Sequence, residues 1–204
     1  MNNEFIEVKR DDLRELYQVL TNYPAISKEQ IQNEMHKVFG EETFKPKDIM
    51  ERVKTFEDAC NELGEEHKLV TEWRYWEGNC SADLAAYLKL RIICTALNEG
   101  WEPQFTEDEW RYYPWFILWT EDELSEKSDE WKTDRHLIST GEHQTGYAGL
   151  AFAFSYNAPS NANAYVGSRL CLKSDTLAVY CGKQFINIWA DSVSYTHLTL
   201  PTIA

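Results

Sequence analysis

Trp110-Arg111-Tyr112-Tyr113-Pro114-Trp115-Phe116-Ile117-Leu118-Trp119 is the stretch from which the fold is read. Trp110, Tyr112, Pro114, Phe116 and Leu118 alternate with Arg111, Tyr113, Trp115, Ile117 and Trp119, a period of two that predicts a strand over 110–119. Both sets are largely apolar or aromatic, so cover on both faces is expected. Pro114 has no N–H to give to a ladder and points to a sheet edge or a bulge. Downstream, the bulky Leu150, Phe152, Phe154 and Tyr156 alternate with the small Ala151, Ala153 and Ser155. They predict a strand over 149–157 with its bulky face toward the core. After the turn-rich residues 157–163, a third strand is expected over 165–173, with Val166, Leu170 and Leu172 inward and Arg169, Cys171 and Lys173 outward. Ser174-Asp175 then caps one final helix bearing Leu177, Cys181, Phe185, Ile188 and Trp189.

The residues before this region read as helices. Leu13, Leu16, Tyr17 and Leu20 recur at helical spacing after Asp11-Asp12, and the Ser27-x-x-Gln30 capping box opens a second helix that Gly40 closes. Thr55, Asp58 and Gly64 mark the cap, first turn and exit of a third. Residues 67–79 carry Trp73, Tyr75 and Trp76 without a clean period. From Ala82 to Asn98, Leu84, Leu88 and Ile92 form one apolar row and Tyr87, Leu90, Cys94 and Leu97 another, the pattern of a helix buried over most of its circumference. The expected class is α+β, a β-β-β-α unit after a helical N-terminal half. A helical extension over 1–50 and a core domain over 55–191 are separated by the connection at 44–48.

The 204 residues, 43% hydrophobic and 26% charged, describe an ordered chain without an apolar run near the ~18 residues that a membrane span requires. Met1-Asn2-Asn3-Glu4-Phe5 lacks the basic start and apolar core of a secretory signal. Lys plus Arg number 20 against 34 Asp plus Glu, and the net charge of -14 argues against direct nucleic-acid binding. Between Glu99 and Arg135 there are 12 acids and 4 bases, densest over 121–130. This acidic stretch reads as a solvated surface or as a surface that imitates DNA phosphates. Cys60, Cys80, Cys94, Cys171 and Cys181 show no C-x-x-C pair, so reduced thiols are expected, and no histidine lies at ligand spacing from them. No metal and no cofactor is expected.

Thr55-Phe56-Glu57-Asp58-Ala59-Cys60, Ala96-Leu97-Asn98-Glu99-Gly100-Trp101, Tyr112-Tyr113-Pro114-Trp115-Phe116, Ser168-Arg169-Leu170-Cys171-Leu172-Lys173-Ser174 and Gln184-Phe185-Ile186 form an ordered series. It resembles a family of uncharacterised proteins from phages and prophages of gut Bacteroidales, over roughly Thr55 to Asp191. The resemblance implies a mobile-element origin, with the bacterial cytoplasm or the virion as location, and transfers no catalytic residue. Val193-Ser194-Tyr195-Thr196-His197-Leu198-Thr199-Leu200-Pro201-Thr202 resembles a translated transposase sequencing adapter, GTC TCT TAT ACA CAT CTG ACG CTG CCG ACG. Residues 192–204 are therefore expected to be adapter-encoded and without structure of their own.

Catalytic patterns are sparse. Thr140-Gly141 with Thr145-Gly146-Tyr147-Ala148-Gly149 lacks the Lys and Ser/Thr of a phosphate loop, and Cys181, the thiol that His136 or His143 would have to activate, lies on an apolar helix row. The concentration of Trp101, Trp110, Tyr112, Tyr113, Trp115, Trp119 and Trp131 stands above background. It reads either as core packing or as a binding face. In the second reading Trp115 and Trp119 are exposed beside Arg111 and Tyr113, with Arg169 and Lys173 adding polar contacts. Trp110, Tyr112, Phe116 and Leu118 then face the helix from Ala82. The function expected is a non-enzymatic phage or prophage accessory protein that binds a protein partner. An acidic DNA-mimic inhibitor, a virion component and a small hydrolase are the alternatives.

Overall fold

A computed structural model describes residues 8–22, 27–40, 43–104, 106, 108–139, 149–159 and 170–198. The chain forms two compact units, Met1–Asp48 and Ile49–Ala204. In the first, helices α1 (Arg10–Thr21) and α2 (Lys28–Phe39) are held by stacked rings, with Tyr17 4.8 Å from Phe44 and His36 5.6 Å from Phe44. The Arg14 guanidinium donates to the Thr43 carbonyl at 2.9 Å. No residue of α1 is fully buried, and the expected capping bond from the Ser27 side chain is not made.

The second unit is built around a buried helix. Its elements are α3 (Ile49–Arg52), α4 (Phe56–Leu63), α5 (Lys68–Trp76), α6 (Ala82–Leu97), β1 (Trp110–Trp119), α7 (Glu121–Ser125) and α8 (Asp129–Asp134). There follow β2 (Ile138–Ser139), β3 (Gly149–Pro159), α9 (Asp175–Gln184) and α10 (Ile186–Leu198). Past Leu84, which stays exposed, the apolar rows of α6 find partners, because α4, α5, α9 and α10 all pack on it. Leu88, Leu90, Ile92, Ile93, Cys94 and Leu97 are buried there. At Thr55 the capping box is complete, the hydroxyl accepting from Asp58 N–H at 3.1 Å and the Asp58 carboxylate from Thr55 N–H at 2.8 Å. The aperiodic 67–79 stretch is nevertheless helical in α5, because the His67 ring caps it by accepting from Leu69 N–H at 3.3 Å. Ile49 and Val53 are buried in this same core, and the Tyr180 hydroxyl donates toward the carbonyls of Met50 and Val53. The unit therefore starts at Ile49, ahead of the expected Thr55.

The class is α+β, with two long strands. β1 and β3 are antiparallel, and the two-residue β2 flanks β3, which leaves β1 at the edge that Pro114 requires. The expected third strand over 165–173 is not formed among its described residues, where Leu172 makes one isolated bridge to Tyr112; residues 165–169 lie outside the described part. The Asn98 side chain stands where a further strand would. Its Nδ2 donates to the Cys171 carbonyl at 2.9 Å, and its Oδ1 accepts from Lys173 N–H at 2.9 Å. Cys171, expected outward, is accordingly buried. Nor is the last helix single, since Phe185, at φ -109 and ψ 26, separates α9 from α10. The backbone of α10 continues through Leu198, so the expectation of an unstructured tail fails up to that residue.

A register shift between Trp115 and Phe116 decides which rings face solvent. Trp115 is opposite Phe154 and Phe116 is opposite Phe152, so Ala153 is an extra residue on β3. Arg135 meets the disturbed ladder. Its carbonyl accepts from Phe152 N–H at 3.0 Å, and its guanidinium donates to the carbonyls of Phe152 and Ala153. One extra residue moves every later side chain to the opposite face. Leu150 and Phe152 are buried as expected, whereas Phe154 is 47% exposed. α9 crosses the inner face so closely that a Cβ added to Gly182 would lie 2.6 Å from Pro114 Cβ and 2.7 Å from the Phe152 ring.

Two outcomes follow from this packing. Gly182→Ala, which in an open helix would gain about 1 kcal/mol of propensity, is expected instead to lower stability by about 1–3 kcal/mol through overpacking. A denaturant titration reads the sign. A chain beginning at Thr55 should melt well below one beginning at Ile49, because it loses buried Ile49 and Val53 and the acceptors of Tyr180; equal melting temperatures would contradict the clamp.

Candidate functional site

The outer face of β1 and β3 collects aromatic surface. Trp115, 48% exposed, stacks on Phe154 with ring centroids 6.2 Å apart and planes at 14°. Ile117, two residues along the same face, is also exposed. Trp119 continues the row but is half-buried. Trp131 of α8 meets it edge-on at 5.2 Å, and Lys127 Nζ lies 4.7 Å from its centroid. The expected exposed pair Trp115 and Trp119 is thus replaced by Trp115 and Phe154. Trp110, expected in the core, is exposed at the end of its strand, while Tyr112 and Phe116 pack on the main core and Leu118 on the smaller cluster around Leu150.

Acidic side chains rim this face beyond Trp119. Glu121, Asp122, Glu123, Glu126, Asp129 and Glu130 are all exposed on α7 and α8 or the turn between them. Each short helix is held by its own cap, Thr120 with Glu123 and Ser128 with Trp131 N–H. The hydrogen bonds that Thr120 gives, first from its backbone, keep the Glu123 carboxyl below its ordinary range. Lys127 is folded back over the rings of Trp119 and Trp131, so the rim presents mainly carboxylates.

The remaining expected contacts do not join this face. Arg111 is only 5% exposed and Tyr113 is also buried, so neither stands beside Trp115 in solvent. Arg111 enters a cavity of about 450 Å³ between α5, α6 and the loop around Trp101. Lys173 pairs with Glu99 at 2.8 Å, and Glu99 in turn holds Arg52 at 2.7 Å. Arg169 lies outside the described residues, as do residues 140–148 of the Thr140 to Gly149 turn. The alternation expected a continuous mixed face; the end of β1 near Leu172 instead belongs to the junction with α6.

Four of the five thiols are buried. Burial pushes the Cys60 thiol up to about 11. Contact with Cys181, then burial, raises Cys94, and burial raises Cys171. Cys181 is fully buried, and His143 lies outside the described residues. Among the described residues no three His, Cys, Asp or Glu gather to hold a metal ion, and no helix is long and apolar enough to cross a membrane. Compared with protein-family models, with curated proteins and with solved structures, the chain finds no match in any of the three.

Cys80 is the one cysteine that is not buried. A disulfide reagent at neutral pH should therefore label one thiol per native chain quickly and the other four only on unfolding. Rapid labelling of a second thiol would show that the α6 core opens.

Proposed function

We propose that this chain is a non-enzymatic accessory protein of a phage or prophage that docks a protein partner on the outer face of β1 and β3. The observation that carries the reading is the stacked, half-exposed Trp115–Phe154 pair with Ile117 beside it. Soluble proteins seldom leave contiguous aromatic surface in water without a use, and Trp is enriched among residues that dominate binding energy. The carboxylates of α7 and α8 favour a partner with a basic rim around an apolar centre, drawn in by charge and held by the rings. The raised thiols of Cys60, Cys94 and Cys171 argue against cysteine chemistry at those three positions. A DNA-mimic inhibitor is the second reading, favoured by the run of exposed acids over 121–130.

The double variant Trp115→Ser, Phe154→Ser separates the two. Both rings are half-exposed, so it is expected to change stability by less than about 1 kcal/mol per site, the scale of surface substitutions, while abolishing capture of a partner from a host lysate. Retained capture that is lost when Asp122, Glu123, Asp129 and Glu130 become Asn and Gln would transfer the function to the acidic rim. Unfolding by the ring variants would make the patch structural and end the docking assignment.

A further inference from the structure

We propose that the indoles of Trp119 and Trp131 form a cage for a methylated ammonium cation, a cage that Lys127 fills while no such ligand is bound. The inference uses neither Trp115 nor Phe154 and so stands apart from the docking reading. The two rings meet edge to face, with centroids 5.2 Å apart and planes at 83°, which sets two walls nearly at a right angle. A cation already lies against both. Lys127 Nζ is 4.7 Å from the Trp119 centroid and 5.5 Å from that of Trp131. Both separations fall within the roughly 6 Å over which a ring attracts a cation, and tryptophan is the strongest of the aromatic side chains in this respect.

The placement of Lys127 is informative because carboxylates surround it. Asp122, Glu123, Glu126, Asp129 and Glu130 are exposed on the same segment, yet among the described residues Lys127 makes no ion pair and turns to the rings instead. Lys132, by contrast, takes Asp129 at 3.8 Å. The backbone that presents the rings is fixed: Lys127 N–H donates to the Leu124 carbonyl at 3.2 Å, and the Ser128 hydroxyl accepts from Trp131 N–H at 3.1 Å. The lysine side chain is held less firmly, half-buried on a flexible stem whose primary ammonium gives up strong hydration to sit on the indoles. A cation with methyl groups in place of N–H keeps the charge, holds water more weakly and lays apolar surface on the rings. It is the better occupant, and Lys127 then swings out to the carboxylates beside it. A free choline-like molecule and a trimethylated lysine on a protein share this chemistry, so the probes must separate them.

The test is an NMR titration of the full chain, read at its indole N–H resonances, with choline, with acetyl-trimethyllysine amide and with dimethylbutanol, the uncharged isostere of choline. At least one of the two cations is expected to bind saturably at millimolar concentration and about tenfold tighter than dimethylbutanol, and the stronger of them identifies the source. Lys127→Gln empties the cage and is expected to tighten binding at least about threefold, the gain from removing a competing occupant. Trp131→Leu is expected to weaken binding about tenfold. If that variant melts lower than the parent, Lys127→Gln and the uncharged isostere still decide the question. The proposal is overturned if neither cation binds saturably even to Lys127→Gln, if dimethylbutanol binds as tightly as the cations, if Lys127→Gln binds no tighter than the parent, or if a folded Trp131→Leu binds as the parent does.

Discussion

The carboxamide of Asn98 ties the two halves of the second unit together. It sits buried at the end of α6 and bonds the Cys171 carbonyl with one end and the Lys173 N–H with the other. Between those two residues Leu172 exchanges both of its backbone bonds with Tyr112 of β1, at 3.0 and 2.7 Å. Helix, connecting segment and strand are thus fixed through one side chain. Each such bond contributes about 1 kcal/mol net, but a buried group left without its partner costs about 1–3 kcal/mol. That asymmetry makes the amide specific: an aspartate would offer acceptors and no donor, leaving the Cys171 carbonyl unmet. Outside this joint, Lys173 first and then Arg52 hold the Glu99 carboxyl below its usual range. Glu99 is more than a third exposed, so this chain of ion pairs sets alignment more than stability.

Elements whose signals are local were legible in the sequence. The Thr55 capping box, the two apolar rows of α6, the alternation of β1 and the Ser174 cap all lie within a few residues of what they specify. What escaped depended on distant partners. Around Leu172, the described end of the expected third strand, the backbone bonds of Cys171 and Lys173 go to Asn98, more than seventy residues away. The extra residue at Ala153 depends on Arg135, which receives the carbonyls that a bulge takes out of the ladder. Small alternating residues in β3 give no sign of it, and Phe154 was therefore assigned to the wrong face. The α5 helix was obscured for another reason, since its cap is a histidine ring and its sequence interleaves exposed Tyr75 and Trp76 with buried Trp73.

The candidate surface was legible as a concentration of rings but not as an arrangement. Alternation sorts a strand into two faces, and it carries no information about what each face meets along its length. On β1 one set changes surroundings from end to end: Arg111 and Tyr113 are enclosed, Trp115 and Ile117 reach solvent, and Trp119 passes beneath Trp131. Phe154 joined Trp115 only because the register shift carried it there. The one signal available for Arg111 was its isolation as the sole charge in an aromatic strand, and since an arginine ordinarily keeps its head in water, its burial was not to be read from that.

The enclosed end of β1 also sets the state of the thiols beside it. Cys94 and Cys171 both line the cavity that Arg111 enters. Neither ionises near neutral pH, because Cys94 is raised by its contact with Cys181 and by burial, and Cys171 by burial that outweighs the lowering influence of Arg111 itself. The sulfur atoms are therefore neutral packing rather than counterions. One strand thus serves two surroundings, an enclosed stretch at Arg111 and Tyr113 beside the α6 junction and solvent-facing side chains at Trp115 and Ile117.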